Sequence, residues 1–183
     1  MFKKMKQKYN AWKINTGRSP RGRTEANTGG GKVIESAVQM HTYLSAKHIR
    51  GGEVIDEREV YEKCVTTAGV TALALVTASA KYLKDFNYHD CGTGIGDEAV
   101  GDTGLGTPFG GSRVAGTQTN PSVNVYQSVA TITFADTFAI TEHGLFSAST
   151  SVTLLDRTKF AAINVISGDS IQFTYQCTLA AGG

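Results

Sequence analysis

Ile171-Gln172-Phe173-Thr174-Tyr175-Gln176-Cys177-Thr178-Leu179 alternates apolar and polar residues without a break. In an extended chain, Ile171, Phe173, Tyr175, Cys177 and Leu179 share one face, and Gln172, Thr174, Gln176 and Thr178 share the other. The apolar face demands cover, whereas Thr and Gln suit the wet face of an antiparallel sheet. Burying each large side chain is worth roughly 1.5–3 kcal/mol, so this strand can anchor a core. Just upstream, Ser167-Gly168-Asp169 has turn chemistry and Ala162-Ile163-Asn164-Val165-Ile166 is rich in β-formers. Together these runs predict a hairpin of about 18 residues.

Further upstream, Ala130, Ile132 and Phe134 alternate with Thr131 and Thr133. Phe138 and Ile140 follow an Ala135-Asp136 turn, and Gly144 interrupts Glu142-His143-Gly144-Leu145-Phe146 as at a bulge. Val152, Leu154, Leu155 and Phe160 mark one more strand. Turns every 8–12 residues or so predict a sandwich or barrel. Gly51-Gly52, between Ser45–Arg50 and Glu53–Asp56, predicts a second hairpin, because two glycines tolerate the positive φ of a primed turn. Val33–Leu44 fits either strand or helix, and the charged run Glu57–Lys63 belongs on an exposed edge or short helix. Residues 65–80 are the best helix candidate, with Thr67 as cap and Val70, Leu73, Ala74 and Thr77 on one face. Asp85–Asp90 alternates as a strand would. Residues 91–122 are rich in Gly, Thr and Asp and predict a long loop, of the kind that is usually functional or covered by a partner. The expected fold is mainly β: an antiparallel β-sandwich or jelly-roll-like domain over residues 33–183, with one short helix and an extended N-terminal arm.

That arm, residues 1–32, carries no sustained apolar period and is broken by Ser19-Pro20 and Gly29-Gly30-Gly31. Of the chain's 18 Lys and Arg residues, Lys3, Lys4, Lys6, Lys8, Lys13, Arg18, Arg21 and Arg23 fall within residues 1–24, where no Asp or Glu occurs. The rest of the chain therefore carries 10 basic against all 16 acidic residues, a net charge of −6. A basic arm on an acidic body binds an acidic protein surface or nucleic acid, or is simply solvated. Phe2, Tyr9 and Trp12 within it are expected docking anchors. Fully stretched, 24 residues reach on the order of 80 Å, enough to cross a neighbouring subunit.

The 183-residue chain is 40% hydrophobic with 21 glycines, in keeping with one turn-rich β domain and an appendage. No apolar run approaches the roughly 18 residues of a membrane span, so no membrane association is expected. Met1-Phe2-Lys3-Lys4 lacks the apolar stretch of a secretory signal. Cys64, Cys91 and Cys177 are far apart and lack metal-ligand spacing, so they are expected to be free thiols of a reducing compartment.

The motifs that could carry chemistry are weak. In Gly92-Thr93-Gly94-Ile95-Gly96 the third glycine falls one residue early for dinucleotide binding, and no helix follows. Gly29-Gly30-Gly31-Lys32 lacks the first glycine of a P-loop. Asp97, Glu98 and Asp102 offer hard oxygen ligands without EF-hand spacing. His89, Cys91 and His143 are the residues from which a Cys–His or metal site would be built. Glu142 and Arg157 are lone charges amid apolar strands and are expected to form a structural ion pair at a sheet edge or subunit contact. No cofactor, metal or catalytic residue is assigned.

The run Phe86-Asn87-Tyr88-His89-Asp90-Cys91-Gly92-Thr93-Gly94, with Glu98–Thr103, Ala139–Ala148, Thr153–Arg157 and Ser167–Tyr175, resembles a recurrent pattern in virion proteins of tailed bacteriophages. The likeness covers about residues 65–183. It implies a β-sandwich structural protein without catalytic residues. The role favoured is a capsid decoration, or cement, protein on the virion surface, made in the host cytoplasm. The expected partners are the major capsid protein and further copies of the chain, as a trimer. A neck, head-fibre or tail component is the alternative, as is a coat protein whose arm binds packaged nucleic acid. The arm lies outside the resemblance.

Overall fold

The computed structural model describes residues 37–62, 64–74, 81–150 and 152–182. Among these residues ten strands build two five-stranded antiparallel sheets. They are β1 (Ala37–Arg50), β2 (Glu53–Tyr61), β3 (Cys64–Val65), β4 (Tyr88–Gly92), β5 (Val114–Ala115), β6 (Thr117–Ser122), β7 (Val125–Thr133), β8 (Phe138–Phe146), β9 (Leu154–Val165) and β10 (Ser170–Gly182). One helix, α1 (Thr67–Ala74), lies between β3 and β4 in sequence. The first sheet is ordered β2-β1-β10-β7-β6 and the second β3-β9-β8-β4-β5. Leu44, Ala46, Ile132, Ile171, Phe173 and Tyr175 of the first sheet share one core with Cys91, Ile140, Leu145, Leu155, Ile163 and Val165 of the second. The fold is therefore the mainly β sandwich with one short helix that the strand pattern predicts. Residues 1–36, the expected arm included, lie outside the described residues.

β10 is the central strand of the first sheet, paired with β1 from Ile49↔Ser170 to Ala37↔Gly182 and with β7 on its other side. Ile171, Phe173, Tyr175 and Cys177 are fully buried, as the alternation requires. Leu179, at the end of the strand, is 40% exposed and escapes the core.

The expected hairpin between Ala162 and Leu179 does not form. Ser167-Gly168-Asp169 turns the chain, with Gly168 at φ 89°, but into the opposite sheet: β9 pairs with β8 and β3, β10 with β1 and β7. Asp169 is the reason. Its carbonyl accepts the Phe134 N–H at 2.9 Å, at the end of β7. Its buried carboxylate accepts from the Ile166 N–H, from His48 Nε2 at 2.8 Å, and from Arg50 Nε and Nη2 at 2.8 and 2.7 Å. These bonds seat the start of β10 between β1 and β7, so neither of its edges is left for β9.

The glycine hairpin forms as predicted: Gly51 and Gly52 take φ 61° and 88° between β1 and β2. From Ala37 onward Val33–Leu44 resolves as strand, and Glu57–Tyr61 belongs to the edge strand β2. Helix α1 is capped by Thr66 rather than Thr67: Thr66 Oγ1 accepts the Gly69 N–H at 3.0 Å and donates to the Leu154 carbonyl at 2.6 Å. The buried residues of α1 are Gly69 and Ala72, whereas Val70 is 48% exposed. A Cβ at Gly69 would lie 2.7 Å from Leu155 Cα, so the helix packs backbone against backbone on β9 and selects its smallest face. Thr77, expected on that face, lies outside the described residues.

Three further expectations shift. The strand expected over Asp85–Asp90 starts at Tyr88, after a 3-10 turn at Leu83–Asp85. The expected loop 91–122 is shorter, since Val114–Ala115 and Thr117–Ser122 form the edge strands β5 and β6. β6 is exposed throughout, so it has no apolar alternation to betray it. Irregular register flanks Gly144 rather than falling on it, between Ile140 and Glu142 and between Leu145 and Phe146. Among the described residues no helix is long and apolar enough to cross a membrane.

Candidate functional site

Residues 93–113 form the long Gly-rich segment between β4 and β5, and one ion pair organises it. Glu142 of β8 and Arg157 of β9 lie on the face of the second sheet turned away from β10, because neighbouring His143 packs on Phe173 inside the sandwich, with ring centroids 4.7 Å apart. Arg157 Nε and Nη2 each lie 2.8 Å from Glu142 Oε2. Glu142 is fully buried and accepts three backbone N–H groups of the segment: Gly94 at 3.0 Å, Gly106 at 3.0 Å and Thr107 at 2.8 Å. Arg157 donates to the carbonyls of Gly96 (3.1 Å) and Asp97 (3.2 Å) and to Asp102 Oδ2 (2.9 Å). A buried carboxylate and guanidinium thus each meet their hydrogen-bonding needs from the same segment.

Burial pushes the Glu142 carboxyl up, but the N–H groups of Thr107 and Gly106 and the Arg157 guanidinium outweigh it, and its pKa lies below the usual value. Three glycines make this approach possible. A Cβ would lie 2.6 Å from Glu142 Oε1 at Gly92, 2.4 Å from it at Gly94, and 2.9 Å from Arg157 Nη2 at Gly106. Gly92 and Gly94, whose spacing fails the dinucleotide pattern, serve in the fold to admit a carboxylate.

Glu142 and Arg157 do pair, but not at an edge: β8 and β9 are interior strands, and the Gly-rich segment covers the pair. The acidic residues that offer hard oxygen ligands in the sequence are also engaged. Asp97 Oδ1 meets Lys159 Nζ at 2.8 Å, Glu98 Oε1 accepts the Lys159 N–H at 2.9 Å, and Asp102 takes Arg157 and the Ala99 N–H. Among the described residues no group of His, Cys, Asp and Glu is arranged to hold a metal ion.

His89, Cys91 and His143 do come together on the inner face of the second sheet, with Cys91 directly opposite His143 across the β4–β8 ladder. All three are fully buried. His89 Nδ1 lies 3.0 Å from His143 Nε2, and His89 Nε2 lies 2.8 Å from Ser128 Oγ on β7, so the chain of hydrogen bonds crosses from one sheet to the other. One proton serves the imidazole–imidazole bond, which requires the facing nitrogen to be unprotonated. Burial drives His89 down to about 3 and, with the neighbouring His89, drives His143 well below its ordinary value. Burial first, then Asp90 and Glu142, raises the Cys91 thiol far above its usual value, so it is not a ready thiolate. The three cysteines are free thiols.

Sequence reasoning missed Ser128, although alternation with Tyr126, Ala130 and Ile132 puts this hydroxyl on the apolar face. It also missed Gly116, where the chain leaves β5 for β6 and changes sheet. A Cβ there would lie 2.3 Å from Ser128 Oγ and 2.8 Å from His89 Nε2. The predicted partner-binding residues Phe2, Lys3, Lys4, Lys6, Lys8, Tyr9, Trp12, Lys13, Arg18, Arg21 and Arg23 lie outside the described residues.

No protein-family model, curated protein or solved structure matches the chain.

Proposed function

We propose that this chain is a structural component of a virus particle, a decoration protein that binds the major capsid protein and braces the shell through contacts rather than chemistry. The observation that carries the proposal is the Glu142–Arg157 lock. It holds a long Gly-rich segment in one shape over the outside of a sheet by six hydrogen bonds to the pair, and a fixed, irregular surface is what a rigid docking contact needs. The outer face of the first sheet adds a broad polar field, with Gln172, Thr174 and Gln176 of β10 beside Gln127 and Thr131 of β7. The groups best suited to acid–base or nucleophilic work, His89, His143 and Cys91, are used inside the core. The bacteriophage resemblance of residues 65–183 points the same way. Many weak contacts from several copies of such a body sum to tight attachment.

Quantitative mass spectrometry of particles banded from the cells that make this chain tests the proposal. The chain is expected in a fixed, whole-number ratio to the major shell protein. Its absence from washed particles excludes the role.

A further inference from the structure

The first sheet ends in an open edge that is mainly acidic. Among the described residues β2 pairs with β1 alone, so no described strand meets its outer backbone N–H and C=O groups. Along β2 and just past its end stand Glu53, Asp56, Glu57, Glu59 and Glu62, with Arg58 the one basic residue of the strand; Lys47 of β1, opposite Glu57, lies 3.7 Å from its Oε1. Arg58 is paired with Asp56 within the strand. Glu57 and Glu59 project to the outer face beside Ser45 and Tyr43, each taking a hydroxyl hydrogen bond at 2.7 Å. Burial first, then the bond to Glu59, raises the Tyr43 phenol to about 12, so it remains a donor. Between the acids lie apolar footholds: Val54, Ile55 and Tyr61 are 55%, 49% and 57% exposed, and Tyr61 rests on Tyr43 with centroids 4.9 Å apart.

Such an edge repels its own copy, since a second β2 brings the same acids to the same face. It selects an extended segment of opposite charge. The chain itself holds one: residues 1–24, with Lys3, Lys4, Lys6, Lys8, Lys13, Arg18, Arg21 and Arg23, no acid, and the aromatics Tyr9 and Trp12. Residues 25–36 separate that segment from β1 and can span roughly 40 Å, enough to reach another molecule.

We propose that the open edge of β2 is the docking site for residues 1–24 of a second copy of this chain, added as a further strand and steered by charge. The interaction joins copies to each other and stands apart from any attachment to a shell.

Sedimentation velocity of the full-length chain at rising salt tests it. Two full-length variants are needed: an edge variant, Glu53→Lys with Glu57→Lys and Glu59→Lys, and an arm variant, Lys3→Glu with Lys4→Glu, Lys6→Glu and Lys8→Glu. The arm variant leaves the β body untouched, so loss of association in it is not loss of folding; circular dichroism melts check the edge variant. The unaltered chain is expected to self-associate, more weakly as salt rises. Each variant alone is expected to associate at least tenfold more weakly, and the two variants mixed are expected to recover a hetero-oligomer. A full-length chain that stays monomeric, an arm variant that associates normally, or a mixture that recovers nothing overturns the proposal.

Discussion

Arg157 Nε sits 2.8 Å from Glu142 Oε2 on adjacent interior strands, and between them the two side chains take up backbone groups of Gly94, Gly96, Asp97, Gly106 and Thr107. The sheet reaches out through this pair and sets the shape of the segment by hydrogen bonds to its residues 94–107.

Breaking the pair should therefore cost both stability and loop order. Glu142→Gln takes the buried carboxylate from the 5%-exposed Arg157 side chain and leaves it Asp102 alone, a loss of up to about 3 kcal/mol, below the cost of a buried charge left with no partner. Urea unfolding measures it. Hydrogen exchange of residues 93–107 should accelerate well beyond that of β10, since the segment loses its anchor before the sheet does.

Two neighbouring glycines give a sharper comparison. Gly94→Ala places a methyl 2.4 Å from Glu142 Oε1, whereas a Cβ at Gly96 meets nothing within 4 Å. Gly94→Ala should destabilise the protein by about 2 kcal/mol or more, and Gly96→Ala should stay within about 0.5 kcal/mol of the unaltered chain. Paired thermal melts check this.

The pH dependence has two opposed sources. His89 and His143 titrate far below the ordinary histidine value of about 6.5, chiefly because they are buried. Between that value and about 3, the unfolded chain binds protons that the folded chain refuses, so stability falls as pH drops through this window. Asp156, fully buried, is raised by burial from 3.8 to about 7. There the folded chain holds a proton that the unfolded chain has lost, so stability falls as pH rises from about 4 to 7 and remains lower above it. Asp156→Asn, which still accepts from Thr158, should raise the melting temperature by several degrees at pH 8 and change it little near pH 4. It should also steepen the acid loss between pH 6.5 and about 4.5, where the histidines then act without the opposing carboxyl. An unchanged melting temperature at pH 8 contradicts the assignment.

The Thr66 cap yields a local test. Thr66→Ala removes the acceptor of the Gly69 N–H and the donor to Leu154, and should cost about 1–2 kcal/mol by urea unfolding. Thr67→Ala, at the position the sequence suggested, should cost less than 0.5 kcal/mol or so.

Period-two alternation made the β10 core face, the β7 face and the fold class legible, because burial on one side of a strand leaves a direct mark on sequence. It did not reveal which edges pair. Ser167-Gly168-Asp169 turns the chain in either arrangement, and the choice between hairpin and crossover was made by His48 and Arg50, over a hundred residues away, through Asp169. β6 was invisible for the opposite reason: a strand exposed throughout carries no alternation. Glu142 and Arg157 stood out as charges among apolar residues, and their pairing was anticipated. Their third participant was not, because the loop meets the pair mainly through backbone N–H and C=O groups, which leave little side-chain signature beyond its glycines and Asp102.

The most direct test of the structural role is a low-resolution reconstruction of the particle, with and without the 19.4 kDa chain. The account predicts added density at regular lattice positions on the outside of the shell. Density confined to the interior against nucleic acid, or no ordered density at all, contradicts it.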